Sequence, residues 1–169
     1  MNPAPDKTEC VNFVGTVVPP TKSRKNMAAV TNGERSIEHM QREFTTEELS
    51  PEFIEKLKNR PILFEHSGEP IGTIVDAKLT NGGALVIRGQ VQASKQTIAE
   101  MRSGNLHALS LAHEYKMYRR GNSFVVSKEP LEVSVCVEGA RDGCWLSVLN
   151  DDVETGQVLM SANATGRCM

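Results

Sequence analysis

The chain has 169 residues, long enough for one domain with a real core, and its hydrophobic (39%) and charged (24%) fractions are those of globular proteins. A net charge of −2 offers no argument for nucleic acid or an acidic surface as partner. The start, MNPAPDKTEC, lacks the apolar stretch of a secretory signal, and no run approaches the ~18 apolar residues of a membrane span.

VNFVGTVV (Val11 to Val18) is rich in β-formers and ends at Pro19-Pro20, which predicts a first strand. The polar stretch 19–35, with Lys22, Arg24 and Lys25, is expected to be a mobile loop, either a connector or a segment that gates substrate or meets a scaffold. Thr45 to Glu48 has capping-box spacing, and Ser50-Pro51 offers a second cap with proline at the first helical position. Phe53, Ile54 and Leu57 then form an apolar stripe, and Pro61 stops the helix. PILFEH (61–66) is strand-like and is followed by a turn at Ser67-Gly68-Glu69-Pro70. IGTIVDA and ALVIRGQVQ flank Asn81-Gly82-Gly83, the pattern of a hairpin. Ser94 caps a short helix closed by Gly104. NLHALSLAHEY carries a strand around Ser110, and Gly121-Asn122 predicts a second hairpin between EYKMYRR and SFVVSK. LEVSVCV (131–137) and CWLSVL (144–149) complete the strand set.

Many strands with two or three helices predict an α+β chain, mainly an antiparallel β-barrel, closed or nearly so. We expect a single domain over 1–149 and a flexible tail over 150–169, where small polar residues replace the periodic pattern. Cys10, Cys136, Cys144 and Cys168 form no CxxC pair and are read as free thiols in a reducing compartment. The sequon Asn163-Ala164-Thr165 is expected to be idle.

Ser110 shares its strand face with Ala108 and Ala112, which leaves room above a hydroxyl; a buried strand serine fits the same pattern. A nucleophilic serine needs a base within hydrogen-bond reach and a third group to orient that base. His107 and His113 lie at odd offsets from Ser110, so an extended strand turns them to the other face. His39 lies in a polar segment. His66, at a strand end beside a turn, is the best-placed base. Glu132 shares a face of LEVSVCV with Ser134 and Cys136, opposite the apolar Leu131, Val133, Val135 and Val137. It is either the orienting acid or a solvent-facing glutamate.

Three segments carry a resemblance. RPILFEHSGEPIGTIVDAKLTNGGALVIRGQV resembles the histidine segment of viral capsid maturation proteases, GNLHALSLAHEY the nucleophile segment of tailed-phage prohead proteases and herpesvirus assemblins, and LEVSVCVEGARDGCWLSV the third assemblin segment, roughly HVxLCxxGRRxGTxxV. The likeness spans about residues 61 to 149, in the order His, Ser, third member. The third assemblin member is histidine; Glu132 stands in its place here, as an acid does in phage relatives. The assemblin arginine pair becomes Ala140-Arg141, with Gly139 and Gly143 supplying turns.

The resemblance implies a barrel of the prohead protease type and a serine endopeptidase with Ser110, His66 and Glu132 as triad. The Ala140 N–H and the Arg141 side chain would stabilise the oxyanion. It implies scaffold and major capsid proteins as substrates, inside a viral procapsid, in bacterial cytoplasm for a phage or the nucleus for a herpesvirus-like source. A homodimer is an assemblin arrangement, although this chain is nearer the phage size. No cofactor, metal, nucleic acid or membrane is implied. Small residues in Met160 to Thr165 suggest self-processing after Ala162 or Ala164, beside an ordinary flexible end. Two other readings stand: a non-catalytic β-barrel binding or scaffold module, and a metal hydrolase using His107, His113 and Cys136, which lacks HExxH or paired CxxC spacing.

Overall fold

A computed structural model of the chain describes residues 7–20 and 46–150. The predicted loop beyond Pro20, His39, the Thr45 cap and the tail from 151 lie outside the described residues. The strands are β1 (Thr8–Val18), β2 (Pro61–Phe64), β3 (Ser67–Leu79), β4 (Leu85–Ser94), β5 (Ala108–Arg120), β6 (Ser123–Cys136) and β7 (Leu146–Val148). A 3-10 turn (Thr46–Leu49) leads into α1 (Pro51–Leu57), and α2 (Lys95–Ser103) joins β4 to β5.

Both helices begin and end where local chemistry demands. The Ser50 hydroxyl accepts from the Phe53 N–H at 3.2 Å, with Pro51 at the first helical position. The Ser94 hydroxyl caps α2 through the Thr97 N–H, also at 3.2 Å, and Gly104 closes it in the left-handed region. Phe53 and Leu57 of α1, and Ile98 and Met101 of α2, are buried.

The seven strands form one mixed, curled sheet in the order β5-β6-β2-β3-β4-β1-β7. Every neighbouring pair is antiparallel except β2 and β6, which run parallel with Ile62 opposite Val133 and Phe64 opposite Val135. The sheet curls until its ends meet at one bridge, Ala108 to Trp145. There the Leu109 N–H donates to the Cys144 carbonyl and the Leu146 N–H to the His107 carbonyl, each at 2.9 Å. The core inside the curl includes Phe13, Leu57, Ile62, Ile74, Leu85, Ile87, Val133 and Val135. Packing there is tight: a Cβ added at Gly89 would lie 2.4 Å from the Phe13 ring.

Several expectations change. SFVVSK and LEVSVCV are one strand, as are LSLAH and EYKMYRR, because the Gly121-Asn122 turn joins two 13- to 14-residue strands. The turn after PILF is Glu65-His66, and Ser67 to Pro70 already belong to β3. Leu131 and Val137 are exposed at 47% and 57%, so the apolar face of LEVSVCV is only Val133 and Val135. Leu131 is the extra residue of a bulge, and Val137 lies past the strand end. Cys136 and Cys144 are free thiols, but Cys10 is disulfide-bonded, which corrects the expectation of four free thiols. Without a local CxxC cue, chain spacing could not reveal that bond.

Candidate active site

Ser110 on β5 lies opposite Ser134 on β6, and Ala112 opposite Glu132. Cross-strand partners share a face, so Ser110, Ser134 and Glu132 project to the same side of the hairpin. The parallel pairing of β2 with β6 ends at Phe64, opposite Val135, and sets the Glu65-His66 turn beside them. Phe64 pairs with Ser67, so the turn has only two central residues, and both take positive φ (49° for Glu65, 56° for His66). Two-residue hairpins with two left-handed positions normally carry asparagine and glycine. Non-glycine residues held in this way are characteristic of functional sites.

The surroundings hold this strained turn. The Glu65 N–H donates to the Val135 carbonyl at 3.1 Å. The Glu65 carboxylate accepts from the Val137 N–H at 2.9 Å, and the His66 N–H donates to the Ser134 hydroxyl, also at 2.9 Å. The imidazole then spans the gap between the strands. Its Nε2 lies 2.8 Å from Ser110 Oγ, and its Nδ1 is hydrogen-bonded to Glu132 Oε1. An ionised carboxylate can only accept, so Nδ1 carries the proton and Nε2 presents its lone pair to the Ser110 hydroxyl. Glu132 is buried (8% exposed), which removes the solvent-facing alternative, and its second oxygen accepts from the Ser134 hydroxyl at 2.8 Å.

The other predicted residues line the cleft at Ser110. Ala140 and Arg141 form its wall with Val17, Leu111 and Cys144, and it encloses about 20 Å³. That is room for one water molecule or one carbonyl oxygen. Gly139 allows close approach: a Cβ there would sit 3.1 Å from the Leu109 carbonyl oxygen, tighter than most contacts of that kind. Gly143 takes φ 84° at the far end of the loop.

Arg141 is anchored from behind. Its guanidinium is ion-paired with Glu48 of the 3-10 turn, whose other oxygen meets Lys128 Nζ at 3.3 Å. The Lys128 and Glu48 side chains are fully buried and Arg141 is 7% exposed. Sequence reasoning missed Glu48 and Lys128. The bulge at Leu131 explains why. On β6 it changes which alternate residues face the core, so Lys128 and Pro130 follow Val133 and Val135 inward.

His113 lies on this inner face opposite Pro130, and neither ring nitrogen has a hydrogen-bond partner. Burial, and then the Lys128 charge, push its pKa down to about 4, with Glu48 opposing and Arg141 adding to the shift. His107 stacks on Trp145, with ring centroids 5.1 Å apart. Neither histidine reaches Ser110. With Cys136 they were the alternative metal ligands, but among the described residues no group of three or more His, Cys, Asp or Glu side chains is placed to hold a metal ion. Burial also pushes the Cys136 thiol up to about 12 and the Cys144 thiol to about 11, so neither is a thiolate near neutrality. No family model, curated protein or solved structure matches the chain.

Proposed function

We propose that the chain is a serine endopeptidase that works through Ser110, His66 and Glu132. The hydrogen-bonded line from Ser110 Oγ through His66 to Glu132 carries this reading. It joins a hydroxyl, a base and an acid from three separated stretches of chain, each in the orientation acyl transfer requires. The Ser110 oxygen attacks the scissile carbonyl carbon as its proton passes to His66 Nε2. Glu132 stabilises the imidazolium through Nδ1–H. The proton on Nε2 then goes to the leaving amine, and water repeats the sequence to release the acyl group.

The cleft beside Ser110 has the size of one oxyanion or one water, and the Gly139–Arg141 loop forms its wall. We assign stabilisation of the oxyanion to this loop, through the Ala140 N–H and the Arg141 charge; one such donor is typically worth ~10²–10³ in rate. The further reading rests on the three-segment resemblance. It makes the fold a barrel of the prohead protease type and the substrates scaffold and capsid proteins inside a procapsid.

The test is co-expression with the matching scaffold protein, wild type against Ser110→Ala. The expected result is scaffold cleavage by wild type and none by a Ser110→Ala variant of unchanged melting temperature. Equal cleavage by both removes Ser110 as the nucleophile. A non-catalytic binding module predicts intact scaffold with both.

A further inference from the structure

We infer that Ser134 is a fourth member of the site, a positioning residue that sets both the base and the acid. This rests on the triad assignment above but concerns a residue that neither attacks nor transfers a proton to substrate. Ser134 is fully buried on β6, directly opposite Ser110. Its hydroxyl has two neighbours, and both belong to the triad. The oxygen accepts from the His66 backbone N–H at 2.9 Å, and the hydroxyl proton goes to Glu132 Oε2 at 2.8 Å. The two bonds are directional: a hydroxyl that donates to a carboxylate has its lone pairs left for an N–H.

Each bond has a separate effect. The first pins the turn whose two central residues hold positive φ, and so fixes where the imidazole starts. The second occupies the carboxylate oxygen that His66 does not use. A buried carboxylate needs its lone pairs satisfied, and this donor also limits rotation of the Glu132 head group, leaving Oε1 aimed at Nδ1. Alanine at 134 would keep the strand and remove both bonds. The carboxylate would then hold the imidazolium proton more tightly, which makes His66 a base only at higher pH. Cys136 and Glu65 also interact electrostatically around Glu132, and both variants below leave them in place.

The test compares wild type, Ser134→Ala and Ser134→Cys in three measurements: steady-state peptide cleavage, its pH profile, and the low-field proton resonance of the His66 Nδ1–H. For Ser134→Ala the expected result is a kcat lower by about 10- to 100-fold, KM within about twofold, an acid limb of kcat/KM moved to higher pH, and a displaced Nδ1–H resonance. Ser134→Cys, with a weak donor in the same place, is expected between wild type and alanine. An unchanged kcat and resonance overturns the inference. So does a drop in melting temperature with a fixed acid limb and resonance, because that is a packing effect. The resonance is read without turnover. Its displacement in a chain that cleaves nothing would therefore keep the Ser134 assignment while the protease reading fails.

Discussion

The β5–β6 hairpin carries two charged clusters on opposite faces, and they are built to opposite rules. On one face His66 and Glu132 meet Ser110, with the imidazole 42% exposed and the carboxylate 11%. On the other, Lys128, Glu48 and Arg141 are shut away, at 0%, 0% and 7%. The first sits on a strained turn open to solvent. The second is an ion-paired cluster closed off from solvent. Buried ion pairs add little net stability over apolar packing, but losing one partner is costly. On the proposed reading, the difference separates a cluster that moves a proton from one that holds a loop. Arg141 connects them, since its anchor lies in the buried cluster and the loop that carries it walls the cleft at Ser110.

The largest expected effect is on the first face. Glu132→Gln retains size and removes the charge that fixes the His66 tautomer, and should lower kcat by about 10⁴-fold. An unchanged rate would make the His66–Glu132 pair structural and erase the contrast between the faces. On the second face, Glu48→Ala leaves Lys128 and Arg141 without that carboxylate. It should lower unfolding stability by about 3–5 kcal/mol in denaturant titrations. A loss below about 1 kcal/mol, the range of exposed salt bridges, would mean that the buried cluster does not anchor the loop.

The smallest effect is a pH slope from His113. Its folded pKa of about 4 lies below the ordinary 6.5, so between those values the unfolded chain binds the proton and the folded chain does not. The contribution is fully present above pH 6.5 and is lost as pH falls toward 4. Urea midpoints at pH 7 and pH 5 should therefore fall further for wild type than for His113→Gln. Equal falls would place His113 in an environment like that of the exposed groups.

Much of the reactive face was legible in the chain. The alternation of HALSLAH separated Ser110 from His107 and His113, and that of LEVSVCV put Glu132 with Ser134. Period-two reasoning works there because β5 and β6 pair in register from Ala108 to Ala112. It fails one residue later. The bulge at Leu131 shifts register, with the neighbouring Pro130 as its only sequence mark, so Lys128 reads as an ordinary surface lysine and is buried. Glu48 reads as a capping residue for a turn and instead reaches a partner 93 residues away. The Glu65-His66 turn was also hidden. Neither residue type signals a left-handed hairpin, whereas Ser67-Gly68-Glu69-Pro70 has turn composition and is strand.

The central claim is that His66 and Glu132 make Ser110 a nucleophile. It is tested most directly by exposing wild type, Ser110→Ala and His66→Ala to a fluorophosphonate and mapping the adduct by peptide mass spectrometry. The account predicts stoichiometric phosphonylation of Ser110 in wild type, none in Ser110→Ala, and a rate at least ~10³-fold lower in His66→Ala. Wild type left unlabelled, or labelled at Ser110 as fast without His66 as with it, would contradict the account.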